Sequence, residues 1–246
     1  KGIKKMTEQI KAFKEKETYT SEDIRELVAI LRSPDGCAWD REQTHKSVRN
    51  AMIEETYEFI EGLDKDDKTL MKEELGDVLF QVFFHARIAE ENGEFSIDDI
   101  ADEICKKMVL RHPHVFGDVT VKDSGEVLQN WETIKKAEKS RDTLEKQLES
   151  VSSALPSLIR AEKLLSRCKK ESIPVERDAQ KLISHIAEKA QKLTPETDST
   201  QIGELLFAIT NLTYALKINA EQALYETNNR FIEETVKNHE NIEEKQ

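Results

Sequence analysis

The stretch that decides the fold is RNAMIEETYEFIEGL, residues 49–63, in which acids interrupt an apolar pattern with helical spacing. Three of those acids are Glu54, Glu55 and Glu58. Residues three or four positions apart on a helix lie on the same face, so Glu55 and Glu58 project from one side. The side chain of Glu54 points about 100° away from that of Glu55. The pattern predicts a helix from about residue 47 to residue 63 that carries a pair of carboxylates.

A second acidic pair follows in KEELGDVLF, residues 72–80, where Glu74 and Asp77 have matching spacing. The apolar residues there predict a second helix over about 69–91. Only the charged segment 64–68 separates the two helices, and so short a connection makes them antiparallel neighbours. Each helix is therefore predicted to turn two carboxylates toward the other. The flanking apolar residues that we expect in the core are Leu75, Val78 and Leu79.

Four carboxylates at this separation would repel one another and raise each other's pKa unless a cation lay among them. Ligation by carboxylates alone suits a hard divalent ion, and Mg²⁺ is predicted, with Mn²⁺ or Ca²⁺ as alternatives. A solvated helix face is the competing interpretation in a chain with 49 acidic residues. A di-iron centre would require Glu-x-x-His on two helices, and only Glu42–His45 matches. The predicted metal ligands are Glu55, Glu58, Glu74 and Asp77.

The composition predicts an all-α protein. Charged residues make up 35% of the 246 residues, aromatic residues 6%, and glycine and proline are scarce, which is typical of solvated helices with thin cores. A net charge of −12 argues against binding to a nucleic-acid polymer. No apolar run is long enough to span a membrane, and three scattered cysteines indicate a reducing compartment, so a cytoplasmic location is expected.

Basic and aromatic residues that could meet a phosphate-bearing substrate occur at four positions. Lys107 and Arg111 are spaced to share a helix face, although an ordinary basic surface is the competing interpretation. Trp39 and Trp131 could stack on a nucleobase, although a lone tryptophan is usually a core or interface residue. Glu54 is not needed as a metal ligand, and it is a candidate for a general base or for a group that supports the metal ligands.

The chain is predicted to form two similar domains. We expect an N-terminal extension or linker over 1–19, a catalytic domain over 20–140, a linker over 141–153 and a second domain over 154–246. The second domain is inferred from an echo of LGDVLF, residues 75–80, in IGELLF, residues 202–207. Because the chain begins at a lysine, we also expect sequence upstream of it.

Several stretches together resemble the MazG family, the all-α nucleoside triphosphate pyrophosphohydrolases. The resemblance covers about residues 22–139 and includes the successive motifs LRSPDGCAWDREQTH, IEETYE, EELGDVLFQVFFHARIAEE, RHPHVFGDV and VLQNWETIKKAE. It implies tandem helical-bundle domains, a homodimer that completes the site, and Mg²⁺-dependent hydrolysis of NTPs or dNTPs to the monophosphate and pyrophosphate. The alternative is a helical protein that senses nucleotides, or acts as a scaffold, without turnover. Some bacterial members follow a tetrapyrrole methylase domain, and the charged N-terminal segment of this chain would suit a linker to such a fused domain.

The resemblance also assigns roles to individual residues. It implies that the four acids hold the metal and that Lys107 and Arg111 bind the phosphates, with Trp131 near the nucleotide. The second copy departs from the motif at the positions that carry chemistry. Where the first copy has Glu54, Glu55 and Glu58, the second has Ser184, His185 and Glu188. The Glu74–Asp77 pair becomes Gln201 and Glu204, and Arg230 and Glu234 replace Lys107 and Arg111. We therefore expect the second copy to be structural or dimer-forming, without hydrolytic activity.

Overall fold

The computed structural model describes residues 2–138 and 143–243, and within them the secondary structure is helical, with no strand. The chain divides into two compact units, Lys1–Leu128 and Gln129–Gln246. The predicted linker at 141–153 begins outside the described residues. The all-α prediction is confirmed. Among the described helices, none combines the length and the hydropathy that a bilayer crossing requires.

The first unit is built around one pair of long helices. Its helices are α1 (Gly2–Lys14), α2 (Ser21–Leu31), α3 (Ala38–Glu42), α4 (Arg49–Asp64), α5 (Lys68–Glu91), α6 (Ile97–Arg111) and α7 (Pro113–Phe116), and α8 (Ser124–Glu138) crosses the boundary between the units. Helices α4 and α5 pack along each other, and α2 and α6 pack against α5. The core consists of Val28, Val48, Phe84 and Ile88, with Ile24, Phe80 and Phe83 packed around it.

Local sequence signals set the ends of these helices. Thr20 and Ser96 form capping boxes with Asp23 and Asp99, so the backbone N–H groups at the starts of α2 and α6 are satisfied. Asp67 accepts hydrogen bonds from Thr69 N and Leu70 N at the start of α5. Gly93 has a φ of +72°, the left-handed conformation that ends α5.

A glycine sets the distance between α4 and α5. Gly62 is buried in α4, and a Cβ atom there would lie 3.0 Å from the backbone nitrogen of Met71 on α5. Any larger residue would force the helices apart. Gly62 is one turn beyond Glu58 and Met71 is three residues before Glu74, so this close approach holds the acidic parts of the two helices together.

The structure adds two short helices and corrects one local expectation. Residues 33–44 contain α3 in spite of Pro34 and Gly36, and α7 begins at Pro113. Leu75 and Leu79, expected in the core, have exposed fractions of 48% and 38%. Helical spacing identified an apolar face correctly, but it could not show whether that face packs inside this chain.

A buried arginine ties the segment around α3 to the end of α5. Arg32 donates to a carboxylate oxygen of Glu91 through Nε and Nη2, at 3.1 and 2.8 Å, and its Nη1 donates to the carbonyl oxygens of Asp40 and Gln43. The guanidinium also lies over the ring of Phe84, 5.2 Å from its centroid. The backbone around α3 therefore depends on one side chain of which only 5% is exposed.

The second unit repeats the pairing of two helices. Its helices are α9 (Leu144–Glu149), α10 (Ser157–Lys170), α11 (Ala179–Gln191), α12 (Ser199–Leu216) and α13 (Ala220–Glu243). Helices α11 and α12 pack together as α4 and α5 do, and α10 packs against α12. The echo of LGDVLF in IGELLF falls on α5 and α12, the second helix of each pair.

We expect Arg32→Ala to reduce the free energy of unfolding by about 2–3 kcal/mol, because it leaves Glu91 and two carbonyl groups without their donor. Chemical denaturation followed by circular dichroism measures the change. Arg25→Ala is the matched control, because Arg25 pairs with Asp98 on the surface, where both side chains are largely exposed, and it should cost less than about 1 kcal/mol. Equal effects of the two substitutions would contradict the role given to Arg32.

Candidate metal site

Three of the predicted ligands come together where α4 and α5 face each other. One carboxylate oxygen from each of Glu55, Glu58 and Glu74 lies within 4.8 Å of the other two. Glu55 and Glu58 are one turn apart on α4, and Glu74 meets them from α5. Burial differs among the three: Glu74 is buried, Glu55 is half-buried and Glu58 is exposed. The cluster is therefore open to solvent on one side.

The cluster is electrostatically strained. Burial raises the pKa of Glu74 from 4.5 to about 7, and the charges of Glu58, Glu55 and Asp77 add to the rise. Burial also raises the pKa of Glu55, with further contributions from Asp77 and Glu58. The interaction between these two carboxyl groups adds to the raised pKa of Glu74 and partly offsets the rise in the pKa of Glu55. Proximity has made the fully ionised state of these groups unfavourable.

The donor set fits a hard divalent cation. Within the described part of the chain, Oε2 of Glu74 is buried and has no hydrogen-bond partner. A buried polar atom without a partner is costly, and a cation among the three carboxylates would satisfy it and offset their repulsion. Carboxylate oxygens are the ligands that Mg²⁺, Mn²⁺ and Ca²⁺ prefer. The cluster is thus a candidate divalent-metal site.

Asp77 and Glu54 lie at the margin of this cluster. Asp77 is exposed on α5, one turn after Glu74, and its charge raises the pKa of both Glu55 and Glu74. It is not among the three residues whose oxygens meet within 4.8 Å. Glu54 is exposed, and its charge makes a small contribution to the raised pKa of Glu55.

The two basic candidates share α6 but differ in environment. Lys107 has 29% of its side chain exposed and forms an ion pair with Glu103 at 3.8 Å. Arg111 is buried, with an exposed fraction of 6%, in the last turn of α6. Helix α6 packs against α5, which carries Glu74 and Asp77. Phosphate binding by Lys107 and Arg111 stays a prediction.

The two tryptophans belong to different units. Trp39 lies in α3 of the first unit with an exposed fraction of 65%, so its indole ring is available for stacking. Trp131 lies in the part of α8 that belongs to the second unit and is half-buried. Stacking of either ring on a nucleobase stays a prediction.

One polar residue near the acids was not singled out from the sequence. Gln81 follows Asp77 by one turn and Glu74 by two, so it shares their face of α5. It is 8% exposed, and in the described structure its Oε1 atom is buried without a hydrogen-bond partner. The helical spacing of residues 74, 77 and 81 could have identified Gln81 as a neighbour of the acids. An uncharged glutamine within an apolar run is easily missed when the search is for carboxylates.

The corresponding acids of the second unit have lysine partners. Glu204 on α12 accepts a hydrogen bond from Lys189 at 2.6 Å, and Glu188 on α11 accepts one from Lys192 at 2.6 Å. These ammonium groups lower the pKa of Glu204 and Glu188, whereas the pKa of Glu55 and Glu74 is raised. Lysine thus supplies at these positions the positive charge that the first unit's cluster lacks.

Comparison with known proteins identifies the wider family. Residues 43–116 match the MazG nucleotide pyrophosphohydrolase domain. The chain is 38% identical to the nucleoside triphosphate pyrophosphohydrolase/pyrophosphatase MazG of Thermotoga maritima, over 89% of this chain and 87% of that protein. It is 37% identical to the nucleoside triphosphate pyrophosphohydrolase of Escherichia coli, over 83% of this chain and 81% of that protein. It is also 42% identical to the uncharacterized protein YabN of Bacillus subtilis, but the match spans only 46% of that protein's length.

The raised pKa of Glu74 predicts how stability depends on pH without divalent metal. The folded chain holds this proton up to about pH 7, whereas the unfolded chain releases it near 4.5. The stability that this proton contributes to the folded chain is therefore complete below the pKa of the unfolded chain and is lost as the pH rises to about 7. We expect the thermal midpoint to fall over this window, and Glu74→Gln to flatten the profile, as followed by circular dichroism in a chelator.

A divalent ion should reverse this loss of stability at higher pH, because it favours the ionised form of the carboxylates. We expect Mg²⁺ to raise the thermal midpoint at about pH 8 and much less at about pH 5, where protons compete with it. Glu73→Gln, which alters an exposed neighbour of Glu74, should keep both the pH profile and the response to Mg²⁺. A profile for Glu74→Gln as steep as the wild-type profile would contradict the assignment.

Proposed function

Because the chain belongs to the MazG family of nucleotide pyrophosphohydrolases, we propose that it hydrolyses nucleoside triphosphates, NTPs or dNTPs, to the monophosphate and pyrophosphate in a Mg²⁺-dependent reaction. The observation that carries the proposal is the cluster of Glu55, Glu58 and Glu74, whose repulsion and buried, unpaired oxygen suit a hard cation. Mg²⁺ is the proposed ion because the substrate is a polyphosphate and the donors are all oxygen; Mn²⁺ would fit the same donors.

Glu55, Glu58, Glu74 and Asp77 are the proposed metal ligands. Asp77 completes the set because it lies one turn from Glu74 and within electrostatic range of the cluster. When bound, the ion supplies Lewis acidity toward a phosphoryl oxygen and lowers the pKa of a water molecule. Glu54 is the proposed acceptor of the proton from the attacking water, because it is exposed next to Glu55 and outside the cluster itself.

Lys107 and Arg111 are the proposed contacts to the phosphates. Both lie on α6, which packs against the helix that carries Glu74 and Asp77. Fixed cations at that position would counter the negative charge that develops on the phosphates during hydrolysis. Trp39 and Trp131 are the proposed stacking residues for the nucleobase, and the exposure of Trp39 supports its part in this role.

We also propose that the second copy has no hydrolytic activity. A metal site needs carboxylates that lack another cation, and the ion pairs of Glu188 and Glu204 with lysines already satisfy both groups. His185 and Gln201 stand where the first copy has Glu55 and Glu74. The proposed domain bounds are an extension over 1–19, domains over 20–140 and 154–246, and a linker over 141–153; they differ from the two compact units, which divide between Leu128 and Gln129.

A homodimer is the proposed assembly. Apolar side chains beside the acids are exposed on α4 and α5, and a partner would remove them from water. They are Ile53, Tyr57, Ile60, Leu63, Leu75 and Leu79. The cytoplasm is the proposed location, since the three cysteines are free thiols, as is typical of a reducing compartment.

The direct test is a screen of all NTPs and dNTPs with Mg²⁺ that distinguishes pyrophosphate from orthophosphate among the products. We expect pyrophosphate. Glu58→Gln and Asp77→Asn keep the shape of each side chain but remove a charge, and each should lower kcat/KM roughly 100-fold or more. The helix content of both variants should be unchanged, because both residues are exposed.

Glu204→Gln is the matched control, because it makes the same change on the corresponding helix of the second unit. Its turnover should equal that of the wild-type chain. A large loss in Glu204→Gln would refute the proposal for the second copy. Normal turnover in Glu58→Gln and Asp77→Asn would refute the metal assignment, and a wild-type chain that binds nucleotides without turnover would favour the sensing or scaffold alternative.

A further inference from the structure

Positive charge is concentrated in one groove of the second unit, in a chain whose net charge is −12. The groove has a volume of about 410 Å³ and lies between α10, α8 and the segment that follows α9. Its cationic side chains are Lys135, Lys163, Arg167 and Lys170, and we call it the basic groove. Glu132 is the one carboxylate among its lining residues.

The spacing of these residues explains why they meet. Lys163, Arg167 and Lys170 are separated by four and three positions, so they lie on one face of α10. Glu132 and Lys135 are three positions apart and share a face of α8. Lys169, on the same helix as the first three, lines a different cavity together with Glu162 and Tyr214. The groove is therefore lined by one face of α10 and one face of α8.

Ion pairs preorganise part of the groove before any ligand binds. Glu132 on α8 contacts Lys170 at 2.8 Å and Arg167 at 3.9 Å, both on α10. Lys170 lowers the pKa of Glu132, which keeps that carboxylate ionised. Only 21% of the Arg167 side chain is exposed, so its guanidinium is restrained at the groove. Arg167 and Lys170 share this one carboxylate, and Lys163 on the same face of α10 adds a further positive charge to the groove.

Hydroxyl groups and a neighbouring cavity extend the groove. Ser150, Ser152 and Ser166 also line it, and hydroxyls of this kind bind phosphate oxygens alongside cations. A second cavity of about 250 Å³ shares Glu132, Lys135, Arg167 and Lys170 with the groove, and Glu171 also lines it. Volumes of this size suit a small ligand, whereas a macromolecule would need a broad surface.

We propose that the basic groove binds a small phosphate-bearing anion, either inorganic phosphate or a compound with linked phosphates such as pyrophosphate. Lys163, Arg167 and Lys170 donate to the phosphate oxygens from α10, and Lys135 approaches from α8. Such hydrogen bonds between charged groups are the strong ones, and the anion removes the repulsion among the four cations. The site lies within the second unit and is independent of the acidic cluster and of the proposed hydrolysis.

Calorimetric titration of the full chain with pyrophosphate, and separately with inorganic phosphate, tests the proposal. The buffer contains a chelator, so that the acidic cluster holds no metal and repels anions. We expect one saturable site per chain for at least one anion, and tighter binding of pyrophosphate if the groove holds two linked phosphates. No saturable binding of either anion would overturn the proposal.

Lys163→Glu places a negative charge in the groove and should weaken binding by at least about tenfold. Lys163→Gln, which only removes the charge, should produce a smaller loss. Lys169→Glu is the matched control, with the same charge reversal on the same helix but outside the groove, and should bind as the wild-type chain does. Equal losses in Lys163→Glu and Lys169→Glu would show a general charge effect and overturn the site, as would unchanged binding in Lys163→Glu.

Discussion

The repulsion among carboxylates that α4 and α5 bring together is the constraint on which the first unit depends. Burial of Glu74 beside Glu55 and Glu58 is unfavourable for the ionised groups, as the raised pKa of Glu74, about 7, shows. Hydrophobic packing between Val28, Phe84 and Ile88 keeps α5 in place in spite of this repulsion. The fold thus uses part of its packing energy to hold a site that is unfavourable until a proton or a cation enters it.

The second unit shows how the corresponding pair of helices, α11 and α12, behaves without repulsion among carboxylates. Lys189 and Lys192 neutralise Glu204 and Glu188 directly, and the pKa of both acids moves downward. An ammonium group beside a carboxylate competes with a metal ion for that carboxylate. The apolar framework around IGELLF persists where the ligand set does not. Packing and chemistry are therefore separable features of this architecture.

Much of the first unit could be predicted from local sequence. The three-residue spacing within the pairs Glu55–Glu58 and Glu74–Asp77 indicated one face on each helix, and the short connection made those helices neighbours. The capping box of Ser96 with Asp99 and the end of α5 at Gly93 likewise involve residues close in sequence. The common feature is that each interaction spans only a few residues.

The remaining features depend on contacts that the sequence pattern does not encode. Arg32 and Glu91 are 59 positions apart, and the residues next to each of them in the sequence give no signal that the two side chains pair. The exposure of Leu75 and Leu79 could not be foreseen, because an apolar stripe looks the same whether it faces its own core or another molecule. The unequal burial of Glu74 and Glu58 likewise follows from packing around the helices, which spacing alone does not determine.

The glycine that brings α4 against α5 sets a distance that matters for the proposed metal site. An added methyl group at Gly62 would meet Met71 N at 3.0 Å, so the two helices would have to separate by a few tenths of an ångström. Mg²⁺ holds oxygen at roughly 2.1 Å and Ca²⁺ at roughly 2.4 Å, a difference of that same size. The absence of a side chain at Gly62 therefore fixes the helix separation on the length scale by which these two ions differ in size.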